Sequence, residues 1–463
     1  MGTSKEYHIQ GKKGNRFREQ LRGIDLEQVL IIAIDAAKLH QKALICNYFG
    51  DVIEKPFFFS VNFDGMNGLC QKIESAKKKV NAQRIFLGVE STGHYYEDIV
   101  RILGTKGYSV QIFNAYTTAQ ERSSALNWCK TDDLDLVALA HAIVNNKGTE
   151  FTLLEGKHRQ LLTLTRTRRS EVQKRSSLQM EIRIAMDHIW REYQGFAVND
   201  GNKRKTQKIF SDYFGKSSLF FMENYPHPSF ILELGELGLR KLSKKHNLKL
   251  RTTTINNLLY AANQALVRPV EDLGPELLIL KMKLKALTSF NENIAMLEKE
   301  IENMLLQTDG KLLLTIPGIG VVTASEFYSE IGKYNQYDNP GQLIKKAGTN
   351  PIIKQSGGGQ GYFGKISKQG NPHLRFVLYT IGRSLSMHNQ DLKPFYHRLK
   401  EKGKHSRKVF VAMGNKFIKI AFAILRDKKP FLSKQSDHII IDEINKKLKF
   451  NHLENQEIHV LAA

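Results

Sequence analysis

The chain has 463 residues, with 69 Lys+Arg against 46 Asp+Glu and a formal net charge of +23. Hydrophobic residues make up 41% and charged residues 25%, which excludes wholesale disorder, collagen-like repeats and disulfide scaffolds and leaves a folded protein of about two to four domains. The surplus of positive charge points to a polyanionic partner, nucleic acid first, with an anionic membrane surface as the rival reading.

No uninterrupted apolar run approaches the roughly 20 residues of a membrane span, so no membrane partner is expected. Cys46, Cys70 and Cys129 are far apart and form no CxxC. A zinc site or disulfide framework is therefore not expected, and a reducing cytoplasm fits.

In chain order, Met1–Asp25 reads as a basic arm and a candidate for disorder. Val29–Asp35 (VLIIAID) is a short β-branched apolar run, as in a strand buried on both faces. Lys42–Phe49 and Pro56–Asn62 read as two more strands, with Gly50-Asp51 as turn chemistry. Gly65–Val80 has helical spacing through Met66, Leu69, Ile73 and Ala76. Arg84–Glu90 is a strand, Tyr95–Leu103 a helix with Thr92 as its N-cap, Tyr108–Phe113 a strand and Thr131–Val144 an amphipathic helix. A three-strand meander followed by alternating strands and helices predicts an α/β layer fold.

From about residue 158 to 307 the pattern turns helical. Leu280, Leu284, Leu287, Ile294, Leu297, Ile301 and Met304 follow heptad-like spacing. A bundle helix, an antiparallel pair within one chain and a dimer seam are all compatible with it. Two basic clusters lie between the long helices, Lys203–Lys208 and Arg240–Arg251; each is either a solvated face or a nucleic-acid contact. Leu312–Gly332 reads as helix, Gly-containing hairpin, helix. Between Ile331 and Lys408 stand 15 Lys+Arg and 3 Asp+Glu, so over half of the surplus charge sits in about a sixth of the chain. The expected division is 1–27 basic arm, 28–150 α/β catalytic domain, 151–310 helical linker or coiled-coil region, 311–427 mainly helical serine-bearing domain and 428–463 tail.

Asp35 and Glu90 each end an apolar strand. A carboxylate there is costly to bury unless paired or coordinated, and strand ends of parallel sheets are where ligands collect. Asp132 and Asp135 lie three apart on one helix face. Convergent carboxylates call for a hard divalent cation, and two Mg²⁺ ions would serve the attacking and leaving oxygens of a phosphodiester displacement. Asp133 competes with Asp132, and Glu97 and Asp98 compete with Glu90. Helix-dipole charges and strand-end turn residues are the plain alternatives.

Ile316–Gly320 (IPGIG) resembles a helix-hairpin-helix element, in which backbone N–H groups at Gly318 and Gly320 grip a phosphate without reading bases. Further on, Ser356 is followed by three glycines and then by Lys365, Lys368, Arg375 and Arg383. A serine in such a loop is either solvated or, when activated, able to form a phosphoester.

Taken together, IAID (Asp35), GVESTG (Glu90), KTDDLD (Asp132, Asp135), IPGIG and AGTNPIIKQSGG…GKISKQGNPHLR resemble the bacterial insertion sequence 110 family of DEDD transposases, to which the Piv-like DNA invertases are related. The resemblance covers about 29–146 and 312–388. It implies a ribonuclease-H-like (RuvC-like) first domain in which Asp35, Glu90, Asp132 and Asp135 ligate Mg²⁺, and a second domain whose Ser356 joins covalently to DNA. It further implies donor and target DNA, an element-encoded guide (bridge) RNA, and a homodimer or homotetramer in which the serine of one subunit completes the carboxylate site of another. The function this implies is a transposase or site-specific recombinase. The alternatives are a RuvC-like nuclease working by metal hydrolysis alone and a non-catalytic nucleic-acid-binding protein.

Overall fold

The computed structural model describes residues 11–432 except 92, 125–130, 151–155, 201–202 and 355–361. The chain divides into two compact units, Met1–Leu153 and Leu154–Ala463.

The first unit runs α1 (Gly11–Leu21), β1 (Val29–Asp35), β2 (Gln41–Asn47), β3 (Val52–Phe59), α2 (Phe63–Lys79), β4 (Arg84–Glu90), α3 (Tyr96–Thr105), β5 (Val110–Phe113), α4 (Ala115–Ser124), α5 (Asp132–Val144) and β6 (Thr149–Glu150). One sheet has the order β3-β2-β1-β4-β5-β6. The first three strands form an antiparallel meander, β1, β4 and β5 run parallel, and β6 returns antiparallel. This mixed sheet with helices is consistent with a ribonuclease-H-like fold. Strand β1 is apolar throughout because both its faces are covered. Leu30, Ile32 and Ile34 pack with Met66, Leu69 and Ile73 of α2 and Ile99 and Leu103 of α3. Val29, Ile31 and Ala33 pack with Leu136, Leu139 and Ile143 of α5.

Several elements differ from the sequence expectation. The basic arm contains α1, whose Phe17 and Leu21 pack on the α5 side of the sheet; Phe17 meets the Phe86 ring at 5.0 Å. Four-residue spacing of two apolar groups is enough to dock an otherwise polar helix. Strand β3 starts at Val52 and holds Pro56 inside it, which an edge strand tolerates because one side needs no ladder bond. Helix α4 and the two-residue β6 had no clear apolar periodicity. Thr92 lies outside the described residues, and Tyr95 stands at the N-cap position of α3 without a side-chain capping bond.

The second unit runs α6 (Gly156–Ile189), β7 (Phe196–Asp200), β8 (Lys203–Gln207), α7 (Lys216–Asn224), α8 (Pro228–Lys245), α9 (Thr252–Asn263), α10 (Gly274–Leu306), α11 (Val321–Ile331), α12 (Pro340–Ala347), β9 (Pro351–Lys354), β10 (Tyr362–Ile366), α13 (Pro372–His388), α14 (Lys393–Glu401) and α15 (Ser406–Asp427). The long helices α6 and α10 pack antiparallel. Arg168 pairs with Glu298 (2.6 Å), Arg175 donates to Asn291 (3.1 Å), and Lys283 pairs with Glu181. Of the arrangements open to the heptad-like helix, the chain therefore adopts pairing with its own α6. The pair runs through two cores. Near one end Leu161 joins Ile301 and Leu305 among residues of α11 to α15. Near the other, Ile182, Met186 and Ile189 join Leu280, Leu284 and Leu287. The basic cluster Lys203–Lys208 comprises the whole of strand β8 and the residue after it. Among the described residues no helix is long and apolar enough to cross a membrane.

Candidate active site

Side-chain alternation decides where the two strand-end carboxylates point. In β1, Val29, Ile31 and Ala33 face α5, so Asp35 continues that face. In β4, Phe86 faces α5 while Leu87 and Val89 face α2 and α3, so Glu90 falls on the α5 side too. The parallel register matches Ile34 with Val89, which makes Asp35 and Glu90 neighbours at the carboxyl ends of adjacent strands. Both are partly buried.

Helix α5 lies on that face and starts beside those ends. Thr131 caps it, accepting from the Leu134 N–H (3.3 Å). By helical spacing Asp132 and Asp135 continue the stripe of Leu139 and Ile143 that packs on the sheet. Close approach is permitted by Gly88 of β4: a Cβ there would sit 2.7 Å from Ile143 and from the Phe113 ring. Asp135 is ion-paired with Arg122 of α4. Asp133 pairs with Lys42 at 2.6 Å, and Lys42 is the cross-strand partner of Asp35. Glu97 and Asp98 stand on α3, which packs on the opposite face, and Asp98 is paired with Arg101 at 2.8 Å.

The donor set suits a hard divalent cation, since every candidate ligand is a carboxylate. In the arrangement described, Lys42 and Arg122 engage two of the acidic groups of α5, and among the described residues no three carboxylates stand close enough to hold an ion. The residue types and their shared face fit a divalent cation, and Asp135 has Arg122 as its partner in this arrangement. Lys42 and Arg122 were not singled out in the sequence. The even-numbered phase of Lys42 beside Leu44 and Cys46 was the available signal.

In the second unit, Ser356 lies outside the described residues, which resume at Tyr362. Its flanking strands β9 and β10 pair antiparallel, and their bases are bound by a network of hydrogen bonds. Arg375 Nη1 donates to the carbonyls of Ala347 and Lys368, 3.1 Å each. Ser367 donates to Asn350 (2.8 Å) and Thr349 to Asn415 (2.6 Å). Asn371 caps α13 through the N–H groups of His373 and Leu374 and donates to Glu330 at 2.6 Å. Glu330, nearly fully buried, also accepts both arms of Arg166 (2.9 and 3.1 Å). Lys346 donates to the Tyr337 hydroxyl (2.6 Å) and the Ile331 carbonyl (3.3 Å), and burial lowers its ammonium pKa to about 8. Lys365, Lys368 and Arg383 are exposed. Arg375 spends part of its guanidinium on the loop backbone.

IPGIG follows a 3₁₀ segment, Asp309–Thr315, where an α-helix was expected. Gly318 has φ +91°, a conformation that favours glycine, and its carbonyl accepts from Ser384 (2.6 Å). Asn389 donates to the Pro317 carbonyl (3.1 Å). Gly320 is the exposed N-cap of α11.

The family profile described as "Transposase IS116/IS110/IS902 family" matches residues 310–397, and the DEDD transposase profile of the IS110 group, described as "Transposase", matches residues 32–191. Together, in this order, they cover more than half of the chain. The chain belongs to the IS110 family of transposases. Among curated proteins, this IS110-family chain is similar to the insertion element IS116 uncharacterized 44.8 kDa protein of Streptomyces clavuligerus, 23% identical over 49% of this chain and 56% of that protein. It is similar to the pilin gene-inverting protein of Moraxella bovis, 27% identical over 31% of this chain and 46% of that protein. A transposase for insertion sequence element IS1328 of Yersinia enterocolitica is 33% identical over 29% of this chain and 41% of that protein. The chain spans about half the length of the curated relatives it matches. The DEDD profile spans Asp35, Glu90, Asp132 and Asp135, and the IS116/IS110/IS902 profile spans Gly318, Gly320, Ser356, Lys365, Lys368, Arg375 and Arg383.

Proposed function

We propose that this chain cuts and rejoins DNA as the recombinase of an insertion element. The carrying observation is that Asp35 and Glu90 end adjacent parallel strands on the face that receives the first turn of α5, with its Asp132 and Asp135. A divalent metal, Mg²⁺ by this reading and two ions when fully loaded, would be held by these four carboxylates and would supply charge neutralisation at the phosphate. Lys42 and Arg122 keep the acidic cluster compatible with folding in the absence of metal, because like carboxylates left unbalanced repel each other.

Ser356 supplies the nucleophile. Its Oγ bonds to phosphorus, the scissile P–O bond breaks, and the departing strand oxygen leaves as a hydroxyl carrying the serine proton. A second strand's hydroxyl reverses the step, so the bond energy stays in the protein–DNA ester until rejoining. Lys365, Lys368 and Arg383 hold the backbone phosphates, and the Gly318–Gly320 turn contributes backbone contacts. Arg375 fixes the loop that presents them. The division of the chain after residue 150 into a helical region, 151–310, and a serine-bearing domain, 311–427, follows this reading. So do a homo-oligomer in which one subunit's serine serves another's carboxylates, and an element-encoded guide RNA.

A strand-transfer assay with wild type, Ser356→Ala and Asp35→Ala tests the proposal. Wild type is expected to yield recombinants and a protease-sensitive DNA adduct. Ser356→Ala is expected to bind DNA yet give neither. Recombinants from Ser356→Ala would make the chain a metal-only enzyme. RNA sequenced after copurification tests the guide.

A further inference from the structure

The basic strand β8 was left without a role by the catalytic reading, and it leads directly into a cleft. That cleft has a volume of about 620 Å³ and is lined by Met180 and Arg183 of α6, Gln194, Lys208, Phe210 and Tyr213, among others. The volume is in the range of small-molecule sites. Its walls combine three kinds of chemistry. The Arg183 guanidinium lies over the Tyr213 ring, 4.3 Å from its centroid, and 5.1 Å from that of Phe214. Phe210 and Met180 add apolar surface. Gln194 and Asp212 add polar side chains to the lining, and within the wall the Tyr213 hydroxyl is buried and has no hydrogen-bond partner among the described residues. Lys205 on strand β8 and Lys208 just after it are exposed at the entrance of the cleft. The cleft is built on a firm base. Asp212 accepts from the Phe214 N–H (3.0 Å), Asn257 donates to the Lys208 carbonyl (3.2 Å), and Tyr213 packs edge-on against the fully buried Tyr193 at 5.9 Å.

A flat cation resting on an aromatic ring is a platform for a second flat group. An unsatisfied buried hydroxyl and an amide are partners for an edge of donors and acceptors, and a lysine at the mouth suits a phosphate. An acidic peptide would use the lysines but leave the platform and the hydroxyl unmatched. We propose that this cleft binds one unpaired base of a single-stranded nucleic acid, stacked against Arg183, with the adjoining phosphate at Lys208. The cleft belongs to the second unit and the carboxylates to the first, and binding in it is read without recombination activity, so its test succeeds or fails independently of the catalytic reading.

The full chain is mixed with single-stranded RNA, single-stranded DNA and duplex DNA of one sequence carrying 5-iodouracil. Crosslinks are mapped by mass spectrometry and affinity is read by fluorescence anisotropy. Single strands are expected to crosslink at Phe210 or Tyr213. Arg183→Ala is expected to weaken single-strand binding roughly tenfold while sparing duplex binding. Arg183→Lys keeps the charge and loses the plane, so it should retain most of that defect. Tyr213→Phe keeps the ring and should give a smaller loss. A crosslink confined to RNA assigns the base to an RNA strand; one confined to DNA assigns it to an unpaired DNA strand. Crosslinks mapping elsewhere, full rescue by Arg183→Lys, or equal weakening of duplex binding would overturn the proposal. A thermal melt of each variant separates lost binding from lost folding, and Tyr213→Phe carries the test if Arg183→Ala unfolds.

Discussion

Acidic groups in the first unit sit where strand periodicity puts them, at the ends of β1 and β4 and in the first turn of α5. The basic residues of the second unit are spread over strand β10 (Lys365), the turn after it (Lys368) and helix α13 (Arg375, Arg383), and the segment is held by pairs far apart in sequence, such as Arg166 and Glu330 or Thr349 and Asn415. In the first case a buried sheet fixes the positions; in the second, long-range side-chain pairs and the bonds of Arg375 to backbone carbonyls do. A mutation should therefore fail differently in the two regions: at the strand ends chemistry is lost and fold kept, while in the brace stability is lost first.

The sharpest way to break that contrast is Asp35→Asn or Glu90→Gln. Each should lower DNA cleavage by at least about a hundredfold with circular dichroism unchanged; a full-rate Asp35→Asn in Mg²⁺ would remove the carboxylate cluster from the chemistry. The neighbouring choice is tested the same way. Asp132→Asn should be as inactive, whereas Asp133→Asn, which frees Lys42, should keep most activity; the reverse order would exchange the two roles.

Next in size is Glu330→Ala. It leaves Arg166 and Asn371 without their acceptor and should cost about 2–3 kcal/mol in urea unfolding, less than a fully buried pair because Arg166 is half open to solvent. An unchanged midpoint would show that the bonds of Arg375, Ser367 and Thr349 hold the loop without Glu330. Gly88→Ala should cost about 1–3 kcal/mol by pushing against Ile143 and Phe113, and cleavage should fall along with stability because α5 carries Asp132 and Asp135.

The effects become smaller on the surface. Replacing Lys365 and Lys368 by Ala should flatten the logarithmic salt dependence of DNA binding by about two, read by anisotropy between low and moderate salt; an unaltered slope would move the contact surface elsewhere. Lys346 gives a pH signature. Its pKa is lowered from 10.5 to about 8 by burial, so above pH 8 the unfolded chain holds the extra proton and stability should rise with pH up to the unfolded value. Lys346→Met should remove that rise, as followed by unfolding at pH 8 and 9.5.

The sheet was legible because period-two burial and apolar strands leave little freedom: Val29–Asp35 and Arg84–Glu90 were read with the bounds that the structure gives them. The Pro56 strand was displaced because an edge tolerates proline that a central strand would not. Helix α1 was missed because Phe17 and Leu21 are two apolar groups in a basic stretch, too few to stand out without the Phe86 surface they dock on. Asp35, Glu90, Asp132 and Asp135 could be placed on one face from alternation and three-residue spacing. Lys42 and Arg122 could not, since their role depends on a register and on a helix of weak periodicity. In the second unit, Asn371 before Pro372 announces a helix start, but nothing local announces that its amide also reaches Glu330, which is 41 residues distant in sequence.

The antiparallel pair of α6 and α10 has a further consequence, for spacing. Its cross-links keep one register along the pair: Arg168 with Glu298, Arg175 with Asn291, Glu181 with Lys283. Residues 161 and 186 of α6 belong to different cores, roughly 40 Å apart at the helical rise. Such a pair is a ruler with a phase. Removing seven residues from each helix at facing positions would bring the two cores about 10 Å closer with their seams still aligned. Removing four would turn one core relative to the other by about a ninth of a turn for each helix and bury the wrong side chains.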